Sequence, residues 1–152
     1  MFAVVTAKAR EPHWYLEGQV PDTIDGRFRM LTTLAALVIV RLEQGGEKGE
    51  TASVALTERF IEVMESEHRE LGLGDPKLGR TVRKLVGSLA RRVEIWREAV
   101  ANAGQWKASA RESVYGRDVD PDALGHTGGR LREFWSGLQG VDVNAIAAGE
   151  VP

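Results

Sequence analysis

No cysteine occurs among the 152 residues. That absence removes disulfide frameworks, zinc–cysteine sites and thiol catalysis together, and it fits a reducing compartment. Long apolar runs are missing too. The longest, Leu34-Ala35-Ala36-Leu37-Val38-Ile39-Val40, falls far short of the roughly 20 residues that a membrane-spanning helix needs. The first residues, Met1-Phe2-Ala3-Val4-Val5-Thr6-Ala7-Lys8, have no basic start and too short an apolar stretch for a signal peptide. Strand signals are almost lacking: nothing alternates for more than a few residues, and no Asn-Gly or Asp-Gly joins two β-branched runs. An excess of one charge is lacking as well, since the formal total is −2, so no overall basic character points to nucleic acid.

What is present describes an ordinary folded chain. Hydrophobic residues make up 43% and charged residues 28%, which excludes a disordered or collagen-like polymer. The length suits one domain over 1–152, large enough to bury a core without a disulfide or metal. The small net charge conceals a split. Residues 43–75 hold nine acidic and three basic side chains, and 76–100 hold seven basic and two acidic. Two adjacent segments of opposite sign raise the question of what each one faces.

Periodicity predicts helices throughout. Val20-Pro21-Asp22-Thr23-Ile24-Asp25 reads as a helix start, with Asp22 or Thr23 as cap and Asp25 in the first turn. Ile24, Phe28, Leu31, Ala35, Val38 and Leu42 then share one face, and the all-round apolar stretch 34–40 puts this helix in the core. Gly45-Gly46-Glu47-Lys48-Gly49 reads as a flexible loop. A second helix follows over about 51–71, with an apolar stripe of Leu56, Phe60, Val63, Met64 and Leu71, and Gly72 ends it. Asp75-Pro76 reads as an N-cap followed by proline at the first helical position. From there Leu78, Val82, Leu85, Leu89, Val93, Trp96 and Val100 mark a helix about 42 Å long, at roughly 1.5 Å per residue. Its other side carries Arg80, Arg83, Lys84 and Arg91. Gly87 in its interior costs helix propensity, so a neighbouring helix is expected to approach closely there. Shorter helices fit 105–114, 121–138 with a break at Gly128-Gly129, and 142–148. The expected fold is an all-α single-domain bundle: two long central helices, a long basic amphipathic helix, and shorter C-terminal helices.

Chemistry-bearing motifs are weak. Gly74-Asp75-Pro76-Lys77-Leu78-Gly79-Arg80-Thr81 differs from a phosphate loop only in Arg80 where lysine belongs. That loop needs a preceding strand and a cradle of backbone N–H groups, and Pro76 removes one donor. A helix stop followed by a helix start explains the string better. Glu65 and His68 have the spacing of a di-iron bundle ligand pair, but the second pair is missing, and His13, His68 and His126 are expected to stand apart. There is no Gly-x-Ser-x-Gly. Nothing calls for an enzyme, a metal or a cofactor. The basic face of 76–100 is the strongest feature outside the core. It either is neutralised by the acidic helix beside it or meets an anionic partner: RNA, lipid headgroups or an acidic protein. Aromatics for base stacking are absent from that face, which argues against sequence-specific nucleic-acid reading. Trp14 and Tyr15 beside Pro12 either close the core or border a partner groove.

Taken together, these strings resemble the ubiquinol–cytochrome c chaperone family. Ala9-Arg10-Glu11-Pro12 with Trp14-Tyr15, then Val20-Pro21-Asp22-Thr23-Ile24-Asp25-Gly26-Arg27-Phe28, looks like its opening. Leu71-Gly72-Leu73-Gly74-Asp75 followed by Val82-Arg83-Lys84-Leu85 is the second signature, with echoes at Val114-Tyr115 and Gly149-Glu150-Val151-Pro152. The resemblance spans nearly the whole chain. It implies a non-enzymatic assembly factor for ubiquinol–cytochrome c reductase that acts on newly made cytochrome b or another reductase subunit. The mitochondrial relatives work with a partner protein near the ribosomal exit. The compact, cysteine-free chain points to a bacterial, alphaproteobacterial member, cytoplasmic or peripheral at the inner membrane. Ribosome contact, an anionic membrane surface, and homo- or heterodimer formation all stay open. The residues carried over are Arg27, Gly72, Gly74, Asp75, Arg83 and Lys84, with Trp14, Tyr15, Arg80 and Arg91 added from the residue reading. The rival to this reading is a generic RNA- or ribosome-associated helical module that uses the basic helix.

Overall fold

The apolar stretch 34–40 sets the architecture, because a helix that is apolar on every side needs a neighbour on every side. In the computed structural model, which describes residues 1–72 and 74–152, that helix is α2 (Ile24–Glu43). Thr23 caps it by accepting the Gly26 N–H at 3.1 Å, and Asp25 lies in its positive first turn. Every residue from Thr32 to Val40 is buried. Around α2 pack α1 (Phe2–Ala9), α3 (Gly46–Glu70), α4 (Asp75–Ala101), α6 (Pro121–Gln139) and α7 (Val143–Ala147). The short α5 (Trp106–Ala110) runs on into a wide π turn over Arg111–Tyr115. That turn stops at Gly116, whose φ of +66° is left-handed. Among the described residues there is no strand. The protein is an all-α bundle.

The stripes that define α3 and α4 fall where their spacing puts them. Leu56, Phe60 and Met64 of α3 are buried, as are Leu78, Val82, Leu89, Val93 and Trp96 of α4. Burying each large apolar side chain is worth about 1.5–3 kcal/mol, so the helices hold mainly by these faces. Just past the end of α3, Gly72 closes the helix with a φ of +87° and an N–H bond to the Arg69 carbonyl (3.0 Å). Leu73, the next residue of that signature, lies outside the described residues.

Several local expectations are overturned, each by packing. Residues 45–49 are not a flexible loop: α3 already starts at Gly46. A Cβ on Gly49 would come within 1.8 Å of the Leu42 carbonyl, and one on Gly45 within 2.4 Å of Val143. Those glycines serve close approach between elements. Gly128 and Gly129 do not break α6, because its buried face of Ala123, Leu124, Leu131, Phe134, Trp135 and Leu138 outweighs the roughly 1 kcal/mol that each glycine costs. No helix approaches Gly87, where an added Cβ would meet nothing within 4 Å. Leu71 drops out of the α3 stripe and is 69% exposed. Gly74 rather than Asp75 occupies the cap position of α4, leaving Asp75 in the first turn and Pro76 directly after it. Asp75 therefore acts on the helix dipole without capping an N–H.

Candidate functional site

Trp14 and Tyr15 show how the candidate site is built. The last carbonyls of α1 lack i+4 donors, and these two side chains add hydrogen bonds there. Trp14 Nε1 donates to the Lys8 carbonyl at 2.9 Å, and the Tyr15 hydroxyl donates to the Ala9 carbonyl at 2.8 Å. Trp14 is fully buried. It therefore cannot meet a partner, and its role as a binding aromatic gives way to one as an anchor. Tyr15 is half-buried, and burial pushes its phenol above the ordinary value, so it stays a neutral donor. With α1 clamped in this way, its inner face, the start of α2 and the end of α3 do not close on one another.

Between them lies an apolar groove of about 580 Å³. Phe2, Tyr15, Phe28, Leu31, Val63 and Leu85 line it, each packed against the core yet only partly covered. Buried Phe60 lies behind this surface, edge-on to Phe2 at 6.5 Å and tilted against Phe28 at 6.1 Å. The rim is charged: Arg10 and Arg27, with Asp25 and Glu67, and with His68. Arg27 is fixed by Asp22 at 2.7 Å and Asp25 holds Arg29 at 3.0 Å, both in exposed pairs. His68 Nδ1 donates to the Met64 carbonyl at 2.8 Å, which leaves Nε2 as its free nitrogen. Among the described residues, no three His, Asp or Glu side chains come together in a way that could hold a metal ion.

Of the residues singled out from sequence, only Tyr15 and Arg27 line this groove. Gly72, Gly74 and Asp75 form the exposed turn between α3 and α4, outside its lining. Arg80 and Lys84 line a separate notch with Lys77 and Thr81. Arg83, also exposed, is not part of that notch's lining. Arg91 is held by Glu112 at 2.9 Å and lies 3.9 Å from Glu94. Neutralisation of α4 by α3, one of the two readings of the basic face, is not made through ion pairs: none joins the two helices among the described residues, and the cross-helix partner of Arg97 is Glu43 of α2 (2.9 Å).

Two features escaped the sequence. Phe28, Leu31, Val63 and Leu85 read as core positions, and they line a surface groove instead. A usable signal was the length of α1, whose eight residues are too few to cover a 20-residue neighbour. The second is a histidine pair. His13 and His126, expected to stand apart, meet at 3.0 Å between Nδ1 and Nε2. Glu11 lies 3.4 Å from the other nitrogen of His13.

Comparisons with known proteins bear on the whole chain. The profile of a family described as "Ubiquinol-cytochrome C chaperone" matches residues 16–151. No curated protein matches the chain. Among solved structures, the crystal structure of the Cbp3 homolog from Brucella abortus superposes with a TM-score of 0.81 at 25% identity. That alignment covers 99% of this chain and 84% of the other.

Proposed function

We propose a client-holding mechanism for this chain, which belongs to the ubiquinol–cytochrome c chaperone family. Membership makes it a non-enzymatic chaperone of ubiquinol–cytochrome c reductase assembly. The finer reading is that the groove beside α1 receives an apolar segment of newly made cytochrome b and shields it until haem and neighbouring subunits take over. One observation carries this reading: six partly covered apolar side chains share an open groove of about 580 Å³. Volumes in that range accommodate a small set of anchoring side chains, such as those on one face of a helix. The charged rim suits the polar ends of such a segment. Because the contact is apolar and shallow, it can be broken when the segment finds a larger apolar partner in the assembled enzyme. Among the described residues, no helix is long and apolar enough to cross a membrane.

Deletion of the gene in a host that respires through this reductase tests the reading. Cytochrome b and its haem absorbance are expected to fall while other respiratory complexes persist. Normal accumulation of haem-loaded cytochrome b would overturn it.

A further inference from the structure

We propose that the first turns of α4 form a contact surface for an anionic bilayer, carried by Lys77, Arg80 and Lys84. This inference is independent of the groove. The three side chains are exposed at spacings of three and four, which puts them on one helix face over about 10 Å of axis. With Thr81 they line a shallow notch. None of the three lies within 4 Å of a carboxylate among the described residues, whereas Arg59, Arg91 and Arg97, farther along α3 or α4, each have one. Fold stability does not account for them. Cations at such spacings repel one another, and Lys77, in the first turn, meets the positive end of the helix dipole, where Asp75 is the favourable residue. The cost is small, yet the fold returns nothing for it.

Charge complementarity calls for an anionic partner, and three further observations favour a lipid surface. Leu71, 69% exposed, stands at the end of α3 just before this row. Exposed apolar and basic side chains within one short stretch of chain are the composition of an interfacial membrane contact. The continuation of the row beyond Lys84 is Gly87, exposed and with open space around its Cα, so no side chain there holds a flat surface away. The basic face also carries no aromatic side chain on which a nucleic-acid base could stack.

Co-sedimentation of the full chain with vesicles tests this. One set contains phosphatidylcholine alone and the other equal parts phosphatidylcholine and phosphatidylglycerol, each at low and at physiological salt. Binding to the anionic vesicles only, weakening with salt, is expected. Lys77→Ala, Arg80→Ala and Lys84→Ala should each weaken it about five-fold and the triple variant about a hundred-fold, with unchanged helical circular dichroism. Arg91→Ala, whose charge Glu112 already engages, should change binding less than two-fold. Equal binding to neutral vesicles, or anionic binding that survives the triple variant, would overturn the proposal. So would retention of single-stranded RNA through the same three residues without vesicle binding, which would assign the row to nucleic acid. The vesicles carry no client segment, so failure here leaves the groove reading untouched.

Discussion

His13 and His126 meet ring to ring, 113 residues apart in sequence. A hydrogen bond between Nδ1 and Nε2 needs one ring to donate and the other to accept, so at least one imidazole is neutral. His13 rests on Trp14 at 4.2 Å, and burial, the largest influence, lowers its pKa from the ordinary value near 6.5. Glu11 acts the other way, and Arg130 and His126 add to the lowering. Lys8, 3.2 Å from Glu11, and Glu133, 3.3 Å from Arg130, complete the charged surroundings. The folded chain thus binds fewer protons here than the unfolded chain does. Stability is complete above about pH 6.5 and declines as pH falls through the folded-state value. Thermal melts from neutral pH down to about pH 5 should show this decline, and His13→Asn, which keeps a polar partner without titrating, should flatten it. An equal decline in the variant would remove the pair as its cause. A second long-range junction holds the π turn. Ser113 Oγ, buried, meets Thr33 Oγ1 at 2.6 Å and accepts Trp96 Nε1 at 3.0 Å. The Ser113 carbonyl takes two guanidinium N–H bonds from Arg92. Burial brings the Arg92 pKa down to about 10, which still leaves it charged at neutral pH. Neither junction has a sequence signature, because partners so far apart in the chain are chosen by the packing of whole helices.

At the scale of elements, most of the architecture was legible. The apolar spacing of Leu78, Val82, Leu89, Val93 and Trp96 specified α4 and its buried side, and Thr23 marked the start of α2. The misreadings concern glycine. A glycine suggests flexibility, a break or close approach, and only its neighbours decide among them: Gly49 abuts the Leu42 carbonyl, Gly128 sits inside an unbroken helix, and Gly87 touches nothing. The last gives a quantitative expectation. Since a methyl group at Gly87 would meet open space within a regular helix, Gly87→Ala should stabilise the protein by about 0.5–1 kcal/mol. Urea unfolding would show this as a raised midpoint with an unchanged slope. Destabilisation would mean that the backbone there is not the open helix described.

For the molecule as a whole, helical periodicity shows that a face is apolar but not what covers it. Phe28 and Leu31 lie on the same stripe as the buried Ala35 and Val38, yet they face a groove because α1, about 12 Å long at roughly 1.5 Å per residue, stops short of covering them. The family signature takes in Tyr15, Phe28 and Leu85 of the apolar lining but not Phe2, Leu31 or Val63, and its turn at Gly72, Gly74 and Asp75 lies outside the groove. The most direct test of the groove as a client site is photo-cross-linking from within it. A photoreactive phenylalanine analogue replacing Val63, which lines the groove, would be activated in cells that are making the reductase. The same residue replacing Lys107, exposed on α5, serves as the control. An adduct with cytochrome b from position 63 and none from position 107 is the expected result. No adduct from position 63, or equal adducts from both, would contradict a client held in the groove.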